Sequence, residues 1–231
     1  MRRVSIVLGV VLALTVATFV SLAEEDGQFV VPGEVAAAAA ARLADAHIGD
    51  LFAAMKVLAS TADLQVGVWG GMRDLLAQFE QQPVSFNAWF LLPDGSYYKV
   101  EEGLTDQNLS DRAYFPKVMA GEATLGDLVV SKSTGRKSMA MTVPIERSGA
   151  VIGALGVTVY LDDLSRLIAE ELALPEGFVL FAYAEDGEMA LHSNPNLLLE
   201  EVAESGVDLA AAATATSSLL GWTFVVGIAG D

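Results

Sequence analysis

The chain has 231 residues, a formal net charge of −17 and 53% apolar residues. That length and apolar content suit one domain, or one domain with a smaller satellite. The acidity excludes a nucleic-acid surface and docking on anionic lipid, since both need clustered Lys and Arg, and the lack of cysteine excludes disulfides, thiolate metal sites and a cysteine nucleophile.

The chain opens with Met1-Arg2-Arg3, runs apolar from Val4 to Val20, and reads Ser21-Leu22-Ala23 before Glu24-Glu25-Asp26. A basic start, an apolar stretch and small residues at the exit make residues 1–23 a secretory signal peptide, with cleavage after Ala23. The alternative is an uncleaved membrane anchor, because the run approaches the ~20 apolar residues that span a bilayer. On either reading the rest of the chain is expected to be extracytoplasmic: periplasmic or secreted, or tethered to the membrane. No later run has the length of a second span, and no signalling domain is expected before Asp231.

Gln28 to Gly33 reads as an extended linker. From Glu34 an alanine-rich segment of high helix propensity begins, and Ile48, Leu51, Met55 and Leu58 recur at the spacing of one buried stripe. Asp45, Asp50 and Lys56 fall off that stripe. Two uses of it stand open: a homodimer seam, or packing on the chain's own domain. A second helix is expected over Met72–Gln81, between Gly70-Gly71 and Pro83. Strands follow: Phe86–Leu92, the turn Pro93-Asp94-Gly95-Ser96, and the return strand Tyr97–Val100. Asn108–Glu122 reads as loop and short helix. Leu128–Ser133, Ser138–Ile145 and Val151–Leu161 are joined by the turns Thr134-Gly135 and Ser148-Gly149 into an antiparallel meander. A helix over Asp162–Leu172 closes this unit, residues 34–173. Beyond Pro175 comes a smaller C-terminal α/β module, residues 174–231. It has a hairpin (Phe178–Ala184, Met189–His192), a helix near Asn196–Glu204, an alanine-rich stretch and a last strand, Trp222–Ile228. Helices and strands segregate, so the fold class is α+β.

The motifs of the common enzyme classes are absent: no G-x-S-x-G elbow, no H-E-x-x-H, no P-loop and no G-x-G-x-x-G. Gly149, Gly153 and Gly156 fall in a strand and its turn and read as close packing. The two histidines, His47 and His192, lie in different elements, and the acidic pairs Glu101-Glu102, Asp162-Asp163 and Glu200-Glu201 read as solvated faces or helix N-terminal charge. Neither catalysis, nor a cofactor, nor a metal is expected.

The middle third instead carries a binding pattern. Asn108-Leu109-Ser110-Asp111-Arg112-Ala113-Tyr114-Phe115 is followed by Gly121, then Val130-Ser131-Lys132-Ser133-Thr134-Gly135, Val143-Pro144-Ile145 and Gly153-Ala154-Leu155-Gly156-Val157. With Trp89 and Asp94-Gly95-Ser96-Tyr97-Tyr98, this ordered series resembles the Cache family, the extracytoplasmic PAS-like sensor domains of chemoreceptors and sensor kinases. The resemblance runs from about Leu43 to Ile168 and is weaker beyond, where residues 174–231 would be a reduced membrane-proximal module of a double Cache domain. It implies a PAS-like antiparallel sheet behind a long N-terminal helix, and a ligand pocket between that sheet and the segment around Arg112. It further implies a sensor that relays occupancy to a partner such as a membrane receptor or kinase, in signal transduction or chemotaxis. A solute-binding component of a transporter is the alternative.

The candidate ligand-binding residues are Trp89, Tyr98, Arg112, Tyr114, Phe115, Lys132 and Thr158. An Arg two residues before an aromatic offers a fork for a carboxylate beside a face for stacking. By the resemblance, Arg112, Tyr114 and Phe115 match the places that hold the carboxylate end of an amino acid. The ammonium-binding places carry Gln107, near a Tyr position, and Thr158, at an Asp position. A small organic acid is therefore favoured over an amino acid, because an ammonium without an anionic partner is poorly held in a dry pocket. Other uses stand beside these: Arg112 could pair with Asp111 or a backbone carbonyl, Tyr114 and Phe115 could be core, Trp89 could be core or pocket wall, and Lys132 could be solvated.

Overall fold

The computed structural model describes residues 19–24, 27–174 and 177–228. The apolar run expected as a leader falls largely on residues 1–18, outside the described residues. The end of the run and the residues after it, Phe19–Glu24 (β1), pair antiparallel with Gly27–Pro32 (β2). The stretch read as a linker is therefore a paired strand.

Helix α1 covers Gly33–Ala59. Ala36, Ala37, Ala40, Ala41 and Ala44 are buried on the same face as Ile48, Leu51 and Met55, so the expected stripe extends toward the helix start through small side chains. Leu58 is half-buried beside it. This face packs on the chain's own sheets, so its apolar residues are used within the chain. Helix α2 (Ala62–Gln65) and helix α3 (Trp69–Phe79) follow. Gly70 and Gly71, expected to precede α3, sit in its exposed first turn with open space around them.

The main sheet has six strands: β3 (Phe86–Leu91), β4 (Ser96–Lys99), β5 (Gly103–Asn108), β6 (Thr124–Val130), β7 (Lys137–Arg147) and β8 (Ala150–Tyr160). Their order is β5-β4-β3-β8-β7-β6, all antiparallel. The expected meander is β6-β7-β8, and β5 is a polar edge strand that its residues did not announce. Strand alternation divides the side chains cleanly. Ala88, Phe90, Met139, Met141, Leu155 and Val157 face α1 and join the large core. Trp89, Leu91, Ala140 and Ala154 face the other way, toward helix α4 (Tyr114–Met119), and form a smaller cluster with Tyr97, Leu109 and Tyr114.

Helix α5 (Leu161–Leu172) leads to the second sheet, β9 (Phe178–Tyr183), β10 (Met189–His192), β11 (Ala213–Thr216) and β12 (Thr223–Ile228), in the order β10-β9-β12-β11. The alanine-rich stretch supplies β11. Where a helix was expected near Asn196–Glu204 there are two single 3-10 turns, Pro195–Leu197 and Val202–Ser205. Leu199 (φ 58°) and Gly206 (φ 70°) are left-handed and stop either turn from propagating. The second sheet is covered instead by α1 and α5, whose residues share one core with it. Asp45, outside the helix stripe, fastens this contact. Its carboxylate accepts from the Ser217 hydroxyl, the Ser218 hydroxyl (2.8 Å) and the Ser218 N–H (2.9 Å).

Candidate functional site

The α4 face of the main sheet is where its polar and charged side chains converge. Its floor is Trp89 on β3 and Thr158 on β8, with Asn87 and Ala140 beside them. The indole lies flat over Gly156, where a Cβ would come within 2.2 Å of the ring. Its Nε1–H donates to Thr158 Oγ1 at 2.9 Å. Thr158 thus uses one of its two lone pairs on the floor and keeps its hydroxyl proton for the cleft. Tyr97 stands edge-on to Trp89 at 6.0 Å between ring centroids, and Tyr114 leans on it at 5.9 Å.

Two segments close over this floor, and the 94–96 turn fixes the first of them. Asp94 accepts from the Ser96 N–H (3.0 Å) and hydroxyl (2.6 Å), and Gly95 takes φ 87°. At Gly95 a Cβ would meet Asn108 and Ser110 inside 3 Å. Only a glycine lets the 108–110 segment lie so close. Leu109 N donates to Gly95 O at 2.8 Å and Asn108 Nδ2 to Asp94 O at 3.0 Å. The two motifs thus pack as one unit, and Arg112 is presented just before α4.

The second segment is the hairpin between β6 and β7. Arg112 Nη2 donates to Val130 O at 2.7 Å, and Lys132 Nζ donates to Asn108 O (2.8 Å) and to both Asp111 oxygens (2.6 and 2.7 Å). Asp111 therefore pairs with Lys132 while Arg112 takes a backbone carbonyl. The bond from Lys132 holds the Asp111 carboxyl below its usual pKa. Burial pushes the Tyr114 hydroxyl up, so it remains a neutral donor. Lys99 on β4 completes the lining. It is 4% exposed and donates to Glu102 Oε1 at 2.6 Å. With these side chains bonded to neighbouring protein groups, the cavity is about 20 Å³, the room of one water molecule.

Of the seven candidates, Trp89, Arg112, Tyr114, Lys132 and Thr158 line this cleft together. Tyr98 lies on the opposite face of the sheet, stacked on Trp69 at 5.1 Å and near Phe90 at 6.4 Å. Its neighbour Tyr97 holds the cleft side. Phe115 is half-buried against the small cluster and is not among the lining residues. Sequence reading missed Tyr97, Lys99 and Asn87. The hairpin register was the available signal, since Leu91 pairs with Tyr97 and Trp89 with Lys99, which puts both on the Trp89 side. The lining contains three cations, Lys99, Arg112 and Lys132, and no Asp or Glu.

No protein-family model and no curated protein sequence matches the chain. Its fold does match solved structures. The sensory domain of the Campylobacter jejuni chemoreceptor Tlp3 with isoleucine bound superposes with a TM-score of 0.59 at 13% identity, covering 85% of this chain and 89% of that one. The ligand-binding domain of the Pseudomonas fluorescens chemoreceptor CtaA in complex with L-isoleucine gives 0.65 at 12% identity, over 86% and 90%. That of the Pseudomonas aeruginosa amino acid chemoreceptor PctC in complex with GABA gives 0.61 at 14%, over 85% and 94%. The chain has the fold of these Cache-type sensory domains.

Proposed function

We propose that this chain is an extracytoplasmic sensor domain that binds a small carboxylate in the cleft around Arg112 and relays occupancy to a partner protein in signal transduction or chemotaxis, without catalysis. The fold shared with chemoreceptor ligand-binding domains supports the sensor role. The observation that carries the ligand class is the composition of the lining, three cations with no carboxylate. The three neighbours named above were solved with amino acids, whose ammonium needs an anionic or well-placed acceptor partner in a dry pocket. This lining offers a carboxylate plentiful donors, including the Thr158 and Tyr114 hydroxyls, but gives an ammonium no counter-ion. Binding exchanges contacts already present: Arg112 leaves the Val130 carbonyl and Lys132 leaves Asp111, which faces water. A fork of parallel N–H donors then meets the ligand's oxygens.

Calorimetric titration of the full chain with matched pairs tests this, each carboxylate against its own α-amino counterpart (propionate with alanine, succinate with aspartate). The carboxylate of at least one pair should bind more tightly than its amino acid. Tighter binding of the amino acid in every pair would overturn the assignment.

A further inference from the structure

Lys99 is counted among the cleft's cations, but neither the resemblance nor the reading above gives it a contact with the ligand. A charged group is costly to bury unless it is well paired, and a structural lysine would be surrounded by acceptors. Lys99 has three donors, yet among the described residues its ammonium hydrogen-bonds one carboxylate, Glu102, whose own side chain is 51% exposed, with Glu80 attracted to it at longer range. On the far side of the cleft Lys132 is held by Asp111, 65% exposed, and by the Asn108 carbonyl. Each lysine is thus lent to an acid at the solvent edge, and either acid can be returned to water without burying a charge.

The register sets the cations on opposite sides of the floor. Lys99 lies on β4, opposite Trp89, and Arg112 is bonded to Val130 on β6. Strands β3, β8 and β7 lie between. Four strand steps of about 4.8 Å separate these backbones by roughly 19 Å, and once released from their present partners the long side chains have the length to reach inward from both sides toward Trp89 and Thr158. A single carboxylate engages one side and leaves the other as it is.

We propose that the site takes a dianion, a small dicarboxylate, with one carboxylate on Arg112 and Lys132 and the other on Lys99. This inference rests on the small-carboxylate reading of the same cleft. Lys99 then sets charge selectivity, by leaving Glu102 for the second carboxylate.

The test is calorimetric titration of the full chain with succinate and glutarate, each against its monoamide, succinamate and glutaramate. These keep chain length and remove one charge. The wild type should prefer a diacid over its monoamide by roughly thirtyfold or more, the scale for stranding one buried charge. Lys99→Met should bring that ratio close to one, by weakening the diacid far more than the monoamide. Glu102→Gln frees Lys99 and should tighten the diacid while keeping the preference. Melting of both variants without ligand separates loss of fold from loss of selectivity, and the wild-type ratio with Glu102→Gln decides the question even if Lys99→Met does not fold. Monoamides binding as well as diacids to the wild type, or Lys99→Met weakening both equally, would overturn the dianion inference and leave the carboxylate reading standing. If none of the four compounds binds, the carboxylate reading falls with it.

Discussion

Gly156→Ala gives the sharpest test of how the cleft floor is built. A Cβ at this position would lie 2.2 Å from three atoms of the Trp89 ring. Carbon atoms in good contact sit at about 3.5–4.0 Å, so the overlap exceeds 1 Å. The indole cannot yield by a rotamer adjustment, because it is 3% exposed and wedged between the Tyr97 and Tyr114 rings. It must leave the floor, giving up its burial and its bond to Thr158. Overpacking alone costs about 1–3 kcal/mol, and losing a buried Trp costs about 3–5 kcal/mol. The second figure applies here because eviction is the only relief. For a domain of this size about 3–5 kcal/mol corresponds to a fall in Tm of about 6–20 °C. Calorimetric melting of wild type and variant measures it. Gly71→Ala is the control, an exposed helical glycine with open space around it, and should gain about 0.5–1 kcal/mol. In a Trp89→Leu background the added Gly156→Ala should cost little, since the clash partner is gone. A Gly156→Ala Tm within about 2 °C of wild type, less than one kcal/mol on this scale, would refute the reasoning.

Asp45→Ala should destabilise by about 1–3 kcal/mol, because it leaves the buried Ser217 hydroxyl without its acceptor. Hydrogen exchange should quicken first in β11 and β12, and uniform exchange would count against the clasp. Burial lowers the pKa of His192 from its ordinary 6.5. Its Nδ1 accepts from the Asn194 N–H at 2.8 Å, so the neutral ring carries its proton on the unpaired Nε2. The unfolded chain takes up a proton near pH 6.5 and the folded chain only at lower pH. Stability from this group is therefore complete above about pH 6.5 and declines as the pH falls toward the folded value. Melting curves from pH 7.5 to 5 should slope less for His192→Asn than for wild type, and equal slopes would contradict the assignment.

The residues announced the frame better than the details. The stripe Ile48-Leu51-Met55, the turn Pro93-Asp94-Gly95-Ser96 and the meander after Leu128 were legible because apolar period and turn chemistry agree there. Strand β5, Gly103–Asn108, was not, since a polar edge strand shows no alternation that separates it from a loop. Asn196–Glu204 looks helical in composition, but left-handed backbone at Leu199 and Gly206 limits it to isolated turns. Of the residues that line the cleft, Arg112, Tyr114, Lys132, Trp89 and Thr158 were named from motif order and the family resemblance. The choice between Tyr97 and Tyr98 depends on register, because adjacent strand residues always take opposite faces. The same parity would have brought in Lys99, two residues beyond Tyr97. Asp45 gave no local signal, because its partners lie more than 170 positions along the chain.

Arg112 carries the central claim, so one pair of titrations tests it most directly. With the carboxylate that binds the wild type best, calorimetry on Arg112→Ala should show affinity at least about tenfold weaker, since truncation strands the ligand's charge. The ligand-free melt should change little, because among the described residues the Arg112 guanidinium hydrogen-bonds only the Val130 carbonyl. Arg112→Lys should recover little, as an ammonium cannot reproduce the planar fork. If Arg112→Ala binds that carboxylate as tightly as the wild type does, the cleft around Arg112 is not the ligand site.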